Sequence, residues 1–110
     1  MIQRLLQQLG SKELQFKDIL THIEEHYVYT ASAFRNGDQY NAANENQGSA
    51  KVLSFAKLHH LSEGDTLKLF AEHYEAVRHT PEGTDHQNIR QFIKNGWEGL
   101  QFDQQVLREK

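Results

Sequence analysis

The sequence predicts an all-α single domain of about five or six helices around a central buried helix at residues 49–60, with a long polar loop before that helix. Apolar residues recur with the spacing of a helix along most of the chain. No run of alternating apolar and polar residues indicates a strand. The length of 110 residues fits one domain, so residues 1–110 are taken as a single unit.

Two amphipathic helices are expected at the start of the chain. The first has the apolar spacing i, i+3, i+4, i+7 and ends at Gly10; its apolar face consists of Ile2, Leu5, Leu6 and Leu9. The second covers about residues 15–27, with an apolar face of Phe16, Ile19, Leu20, Ile23 and Tyr27.

A polar segment at residues 27–49 is predicted to be an ordered loop. Asn36-Gly37 is a turn dipeptide, and Asn, Gly, Gln and Ser dominate the residues after it. The aromatic residues Tyr27, Tyr29, Phe34 and Tyr40 argue against disorder, because disordered segments are poor in aromatics. We expect one helical turn at about residues 32–34.

The central helix follows, because the apolar residues between positions 50 and 58 cover most of its faces. Ser62 is predicted to cap the next helix, at about residues 63–78, with Asp65 in its first turn. The segment HTPEGT is a turn, and Thr84 or Asp85 is expected to cap a further helix that ends at Asn95-Gly96. Trp97, Leu100 and Phe102 would then form an apolar strap over the core, and Asp103 would cap a last short turn.

Composition excludes several classes of function. The chain has no Cys, which rules out a disulfide scaffold, a thiol nucleophile and a thiolate zinc site. The net charge of −3 gives no basic surface for nucleic acid. No apolar run approaches the roughly 20 residues that a membrane span needs. We therefore expect neither a nucleic-acid partner nor a membrane partner.

One motif suggests a metal. His22, Glu25 and His26 lie in the stretch HIEEH, which has the H-x-x-E-H spacing of inverted zinc peptidases. Residues four apart share a helix face, so both imidazoles could bind zinc while Glu25 acts as a general base. A catalytic site needs a third protein ligand, which no second motif supplies. The simpler interpretation is a solvated helix face without a cofactor.

A polar cluster is the second candidate site. Asn36, Asn46, Ser49 and Lys51 lie in or just after the long loop; His86, Asn88 and Arg90 lie at the start of another helix; Trp97 follows that helix. Helix starts offer free N–H groups and a positive dipole end, which suit an anion, and Lys51 and Arg90 would add charge. The alternative is that these residues cap helices and bond the loop backbone. Trp97 is expected to be a core residue or an exposed anchor for a partner protein.

Four stretches resemble a known family. YTASAFRNG, NAANENQGSAK, FAKLHHLS and PEGTDHQNIRQFIKNGWEGLQF together look like the HopJ type III effector family, over about residues 16–102. The last stretch is the most specific. The family usually has Cys where this chain has Ala50, so thiol chemistry cannot operate here. The resemblance carries no established catalytic residues.

The resemblance and the residues leave three hypotheses open. The first is a non-enzymatic protein-interaction module that acts on a host or bacterial protein, located in the bacterial cytoplasm or delivered by a type III secretion system. The second is a small bacterial cytoplasmic domain that binds a polar or anionic small molecule near Lys51, His86 and Arg90. The third is a zinc peptidase built on His22, Glu25 and His26.

Overall fold

The computed structural model describes residues 4, 7, 8 and 14–110. Residues 14–110 contain five α-helices: α1 (Phe16–His26), α2 (Gln47–Leu58), α3 (Glu63–Lys68), α4 (Glu72–His79) and α5 (Gln87–Asn95). They also contain a 3-10 turn at Gly96–Gly99 and five strands: β1 (Tyr27–Tyr29), β2 (Phe34–Asn36), β3 (Gln39–Asn41), β4 (Leu100–Phe102) and β5 (Leu107–Glu109). The fold is therefore mixed α and β, and the all-α prediction is wrong. Of the helix predicted from Ile2 to Leu9, only residues 4, 7 and 8 are described, and they are helical; its apolar residues and Gly10 lie outside the described residues.

The strands form two small antiparallel sheets. In the three-stranded sheet the order is β3-β2-β4, and in the two-stranded sheet β1 pairs with β5. The hairpin between β2 and β3 turns at Gly37, whose φ of 60° suits glycine. Each strand has three residues, which is too short for an alternating pattern to be recognised in the sequence. The helical turn expected at about residues 32–34 is absent, because Phe34 instead begins β2.

Helix α2 is the centre of the fold, two residues earlier than predicted at each end. Its side chains at Ala50 and at residues 52–56 are all buried. It packs against α1, α3 and β5, which together surround it on several sides. A helix apolar on nearly every face has to be enclosed in this way. No helix in the described part of the chain is long and apolar enough to cross a membrane.

The helix predicted at about residues 63–78 is divided in two. Ser62 caps α3 as expected, with its Oγ accepting a hydrogen bond of 3.1 Å from the N–H of Asp65. The chain then turns at Ala71, with φ 51° and ψ −122°, and α4 begins at Glu72. Alanine favours helices, so the sequence contained no signal for this break.

Two further helix ends have left-handed residues. The cap of α5 is His86, with φ 50° and ψ 49°, rather than the predicted Thr84 or Asp85. Helix α2 ends at Leu58, and His60, two residues later, is left-handed, with φ 54°. There the N–H of Leu61 donates to the carbonyl of Ala56 at 3.0 Å, and the N–H of His60 donates to that of Lys57 at 3.2 Å. These two bonds define a Schellman motif with His60 at the position that glycine usually occupies.

Candidate functional site

A cleft of about 430 Å³ opens where four helices begin. It is bordered by the first residue of α1, the first turns of α2 and α5, and the second residue of α4. Its lining consists of Phe16, Gln39, Asn46, Gly48, Ser49, Phe70, His73, His86, Gln87, Asn88 and Ile89. We call this space the N-terminal cleft.

The N-termini of α2 and α5 are left uncapped at the cleft. Their N-cap residues, Asn46 and His86, are both left-handed, and neither side chain bonds the first turn of its helix. The side chain of Asn46 instead donates to Asn41 Oδ1 at 2.7 Å. Within the described part of the chain, the first N–H groups of both helices therefore have no acceptor; they belong to Gln47, Gly48, Ser49, Gln87 and Asn88.

The first turns of α2 and α5 also lack acidic residues. The other three helices each carry at least one: Asp18 in α1, Glu63 and Asp65 in α3, and Glu72 and Glu75 in α4. An acid near a helix N-terminus offsets the positive end of the helix dipole. The first turns of α2 and α5 carry no such acid, and the residues that line the cleft include no carboxylate. Glu45 and Asp85, which precede the two N-cap residues, accept instead from the N–H of Ala42 and from Arg90.

Helix α1 shows which kind of group binds a helix N-terminus at this cleft. The N–H of its first residue, Phe16, donates to Glu72 Oε1 at 2.7 Å. This carboxylate comes from the first turn of α4, 56 residues along the chain. The fold thus satisfies one helix start at the cleft with its own anion, and it leaves the starts of α2 and α5 without one.

A network of buried asparagines forms the base of the cleft. Asn88, which lines the cleft, accepts at Oδ1 from Asn36 Nδ2 at 3.1 Å and from Asn41 Nδ2 at 3.2 Å. Its own Nδ2 donates to Asn41 Oδ1 at 3.0 Å. Asn36 and Asn41 are completely buried, and Asn36 Oδ1 has no partner among the described residues. Because a buried amide costs free energy unless it is bonded, this network fixes β2 and β3 against the start of α5.

The predicted polar cluster is brought together only in part. Asn46, Ser49, His86 and Asn88 line the N-terminal cleft, and Asn36 lies behind Asn88. The other three predicted residues, Lys51, Arg90 and Trp97, are not among the residues that line it.

Each of these three has another contact. The ammonium of Lys51 lies 4.7 Å from the centre of the Tyr29 ring. The guanidinium of Arg90 donates to the carbonyl of Thr80 at 2.7 Å and to Asp85 Oδ1 at 2.6 Å, and its hydrogen bond lowers the pKa of the Asp85 carboxyl. Arg90 therefore fastens the loop before α5. Neither Lys51 nor Arg90 is among the lining residues that could supply the positive charge which the sequence suggested for binding an anion.

Trp97 is a packing residue with one polar contact. Its ring meets Phe92 edge to face, with 5.0 Å between ring centres. Its Nε1 donates to the carbonyl of Leu61 at 3.1 Å. The indole is partly buried and lines a separate cleft of about 330 Å³ with Lys57, His60, Leu61 and Leu100.

The HIEEH stretch lies on α1, and its two imidazoles lie side by side, with ring centres 4.4 Å apart and ring planes inclined by 32°. Nδ1 of His26 donates to the carbonyl of His22 at 2.8 Å. Burial is the main cause that lowers the pKa of His22, and His26 lowers it further. No group of three or more candidate ligands in the described residues could hold a metal ion. A zinc peptidase site would therefore lack its third ligand there.

Sequence reasoning missed several residues of the cleft, above all Phe16, Phe70 and His73. Phe16 lies on the predicted apolar face of α1 and also contributes to the lining, whereas Phe70 lies in the turn between α3 and α4 rather than in the helix predicted at about residues 63–78. His73 was placed inside a continuous helix, and only the break at Ala71 brings it to the cleft. The position of His73 at the cleft therefore depends on a helix break that the sequence does not indicate.

Two of three comparisons with known proteins give a match. The model of the HopJ type III effector protein family matches residues 2–107. The fold is similar to the crystal structure of the unknown function protein VPA0580, with a TM-score of 0.90 and 42% identity, over 100% of this chain and 94% of that chain. A comparison with curated proteins gives no match.

Proposed function

The chain belongs to the HopJ type III effector protein family, and from this premise we propose that it is a non-enzymatic binding domain that takes a small anionic ligand into the N-terminal cleft. The observation that carries the proposal is the pair of helix starts, α2 and α5, that meet at the cleft with neither a cap nor an acid. Of the first-turn N–H groups without an acceptor among the described residues, four belong to residues that line the cleft and can donate to an anion: Gly48, Ser49, Gln87 and Asn88.

The electrostatics support an anion rather than a cation. Each helix start carries a partial positive charge of roughly half an elementary charge. The carboxylates next to these helix starts already have partners: Glu72 accepts from the N–H of Phe16, Glu45 from the N–H of Ala42, and Asp85 from Arg90. Since the lining has no acidic side chain, an incoming carboxylate or phosphate meets only neutral groups, imidazoles and N–H donors.

Ser49→Asp tests the proposed anion site at the start of α2. An aspartate in the first turn of α2 supplies the missing negative charge, so we expect it to raise the stability by about 0.3–1 kcal/mol. The same carboxylate would compete with a ligand anion. Titration of the wild-type chain with inorganic phosphate and acetate, followed by NMR shifts of the N–H groups in the first turns, measures binding.

A matched control is available on β4. Gln101 is exposed and does not line the cleft, so Gln101→Glu makes the same charge change elsewhere. We expect phosphate binding to be lost in Ser49→Asp and kept in Gln101→Glu. If neither anion shifts the N–H signals of Gly48, Ser49 or Gln87 in the wild-type chain, the proposal is wrong.

The protein-interaction hypothesis is a second proposal, supported by a different surface. A cleft of about 620 Å³ lies at the other end of α2, and its lining is mostly apolar. Leu58, on its wall, is 42% exposed.

Crosslinking in bacterial extracts tests this second proposal with the variant Leu58→Glu. Ile93→Glu is the control, because Ile93 is exposed but lies outside this cleft. Equal crosslinking by both variants and the wild type would remove the support for this surface. Delivery by a type III system, which the family name implies, is likewise a proposal.

A further inference from the structure

Part of the N-terminal cleft is lined by a continuous run of aromatic rings. Phe70 and Phe16 are stacked, with ring centres 5.8 Å apart. Phe16 meets His73 edge to face at 4.8 Å, and His73 lies 5.0 Å from His86. All four rings belong to residues that line the cleft. We call this run the ring wall.

The ring wall lies directly beside the N–H donors of α2. A Cβ atom at Gly48 would come within 3.3 Å of the Phe16 ring, so glycine at this position lets the ring and the helix start approach closely. His86 is at the same time the last ring of the wall and the N-cap of α5. A molecule bound to the N–H groups would therefore extend over aromatic surface.

Size leads to the same conclusion. Cavities that hold small organic ligands begin at roughly 300 Å³, and this cleft has about 430 Å³. A single phosphate or carboxylate group would engage the N–H donors and leave the exposed parts of the Phe16, His73 and His86 rings in contact with water, whereas Phe70 is only 1% exposed. A planar ring covers such surfaces well, because offset-stacked and edge-to-face ring pairs are favourable.

We propose that the N-terminal cleft is specific for a planar aromatic ring that carries one anionic group, a phosphate or a carboxylate. The anionic group binds the N–H groups of the first turns of α2 and α5, and the ring packs on the ring wall. This inference rests on the proposed anion-binding function and adds the class of ligand to it.

Calorimetric titration of the full chain with paired probes tests the ligand class. Phenyl phosphate is compared with methyl phosphate, and benzoate with acetate, so that each pair differs only in the ring. We expect the aromatic member to bind about 2- to 10-fold more tightly, the range that one aromatic contact contributes. The pair that binds more tightly identifies the anionic group.

A variant separates the ring from the anion site. His86→Asn removes a ring of the wall but keeps a residue that tolerates the left-handed conformation. We expect it to lower the affinity for phenyl phosphate more than that for methyl phosphate, so that the ratio of the two affinities falls toward one. His79→Asn is the control, because His79 lies at the end of α4 and outside the cleft lining.

The outcomes distinguish the two proposals. Equal affinity of the wild-type chain for the members of each pair would overturn the aromatic class and leave the anion site standing. No binding by any of the four probes would overturn both. If His86→Asn does not fold, the comparison of paired probes on the wild-type chain decides alone.

Discussion

Asn88→Ala should reveal how much the buried asparagine network contributes to stability. The substitution removes three side-chain hydrogen bonds, two to Asn36 and Asn41 through Oδ1 and one to Asn41 through Nδ2. At roughly 1 kcal/mol per bond, the loss is about 3 kcal/mol. Alanine is the better helix former by at most about 0.7 kcal/mol, which leaves a net loss of about 2.5 kcal/mol.

The partners of Asn88 limit the loss to this value. Asn41 Oδ1 still accepts from Asn46, and Asn41 Nδ2 still reaches the carbonyl of Phe34 at 3.4 Å. Asn36 Nδ2 still donates to the backbone carbonyl of residue 88 at 2.8 Å. The substitution therefore orphans none of these groups, and the larger penalty for an unpaired buried amide does not apply.

Urea unfolding followed by the fluorescence of Trp97, the single tryptophan, measures the change. For a chain of this length the entropy of unfolding is about 0.23 kcal/mol/K, so the melting temperature should fall by about 10 °C. Asn44→Ala is the matched control, because Asn44 is exposed and should change the stability by less than about 0.5 kcal/mol. A loss below about 1 kcal/mol for Asn88→Ala would refute the reasoning and indicate that water replaces the network at little cost.

Two further predictions concern histidines. His60→Gly should raise the stability by about 1 kcal/mol, because the left-handed conformation of His60 is strained for any residue with a Cβ; an unchanged urea midpoint would contradict this. The folded-state pKa of His22 is lowered, by burial first and then by His26 with a smaller contribution from His59 against the opposing Glu25, so the unfolded chain binds more protons. The stability that neutral His22 contributes is present above the unfolded-state pKa of about 6.5 and is lost as the pH falls toward the lower folded-state value. Melting temperatures at pH 7.5 and 5.5 should therefore differ less in His22→Gln than in the wild type, and equal differences would refute the assignment.

The elements that could be predicted from the sequence are those with a local signal. The buried centre of α2 was recognisable because its apolar residues cover every face, and Ser62 because an N-cap acts within one turn. The strands were not. The β2–β3 hairpin is local, but only its turn dipeptide Asn36-Gly37 was recognised, because its strands have three residues each. The other two pairings join segments far apart in the chain: Tyr27 pairs with Glu109, and Phe34 with Phe102. Pairing over such distances leaves no trace in a three-residue stretch.

The candidate site divides in the same way. Asn46, Ser49, His86 and Asn88 line the same cleft because all four are N-cap or first-turn residues of α2 and α5. Lys51 was grouped with them by its position in the chain, but it follows Ser49 by two residues and therefore lies on nearly the opposite side of α2. The contribution of His73 depends on the conformation of Ala71, for which alanine itself gives no indication.

The pairing of β1 with β5 affects how the chain folds during synthesis. Strand β5 leaves the ribosome about 80 residues after β1, which takes roughly 4–16 s at the usual rate of translation. Throughout that time β1 has no partner, and Leu107, which is buried against the core in the finished fold, has not yet been made. The nascent chain thus exposes its apolar centre until almost the last described residue is synthesised, and we expect it to depend on chaperones until then.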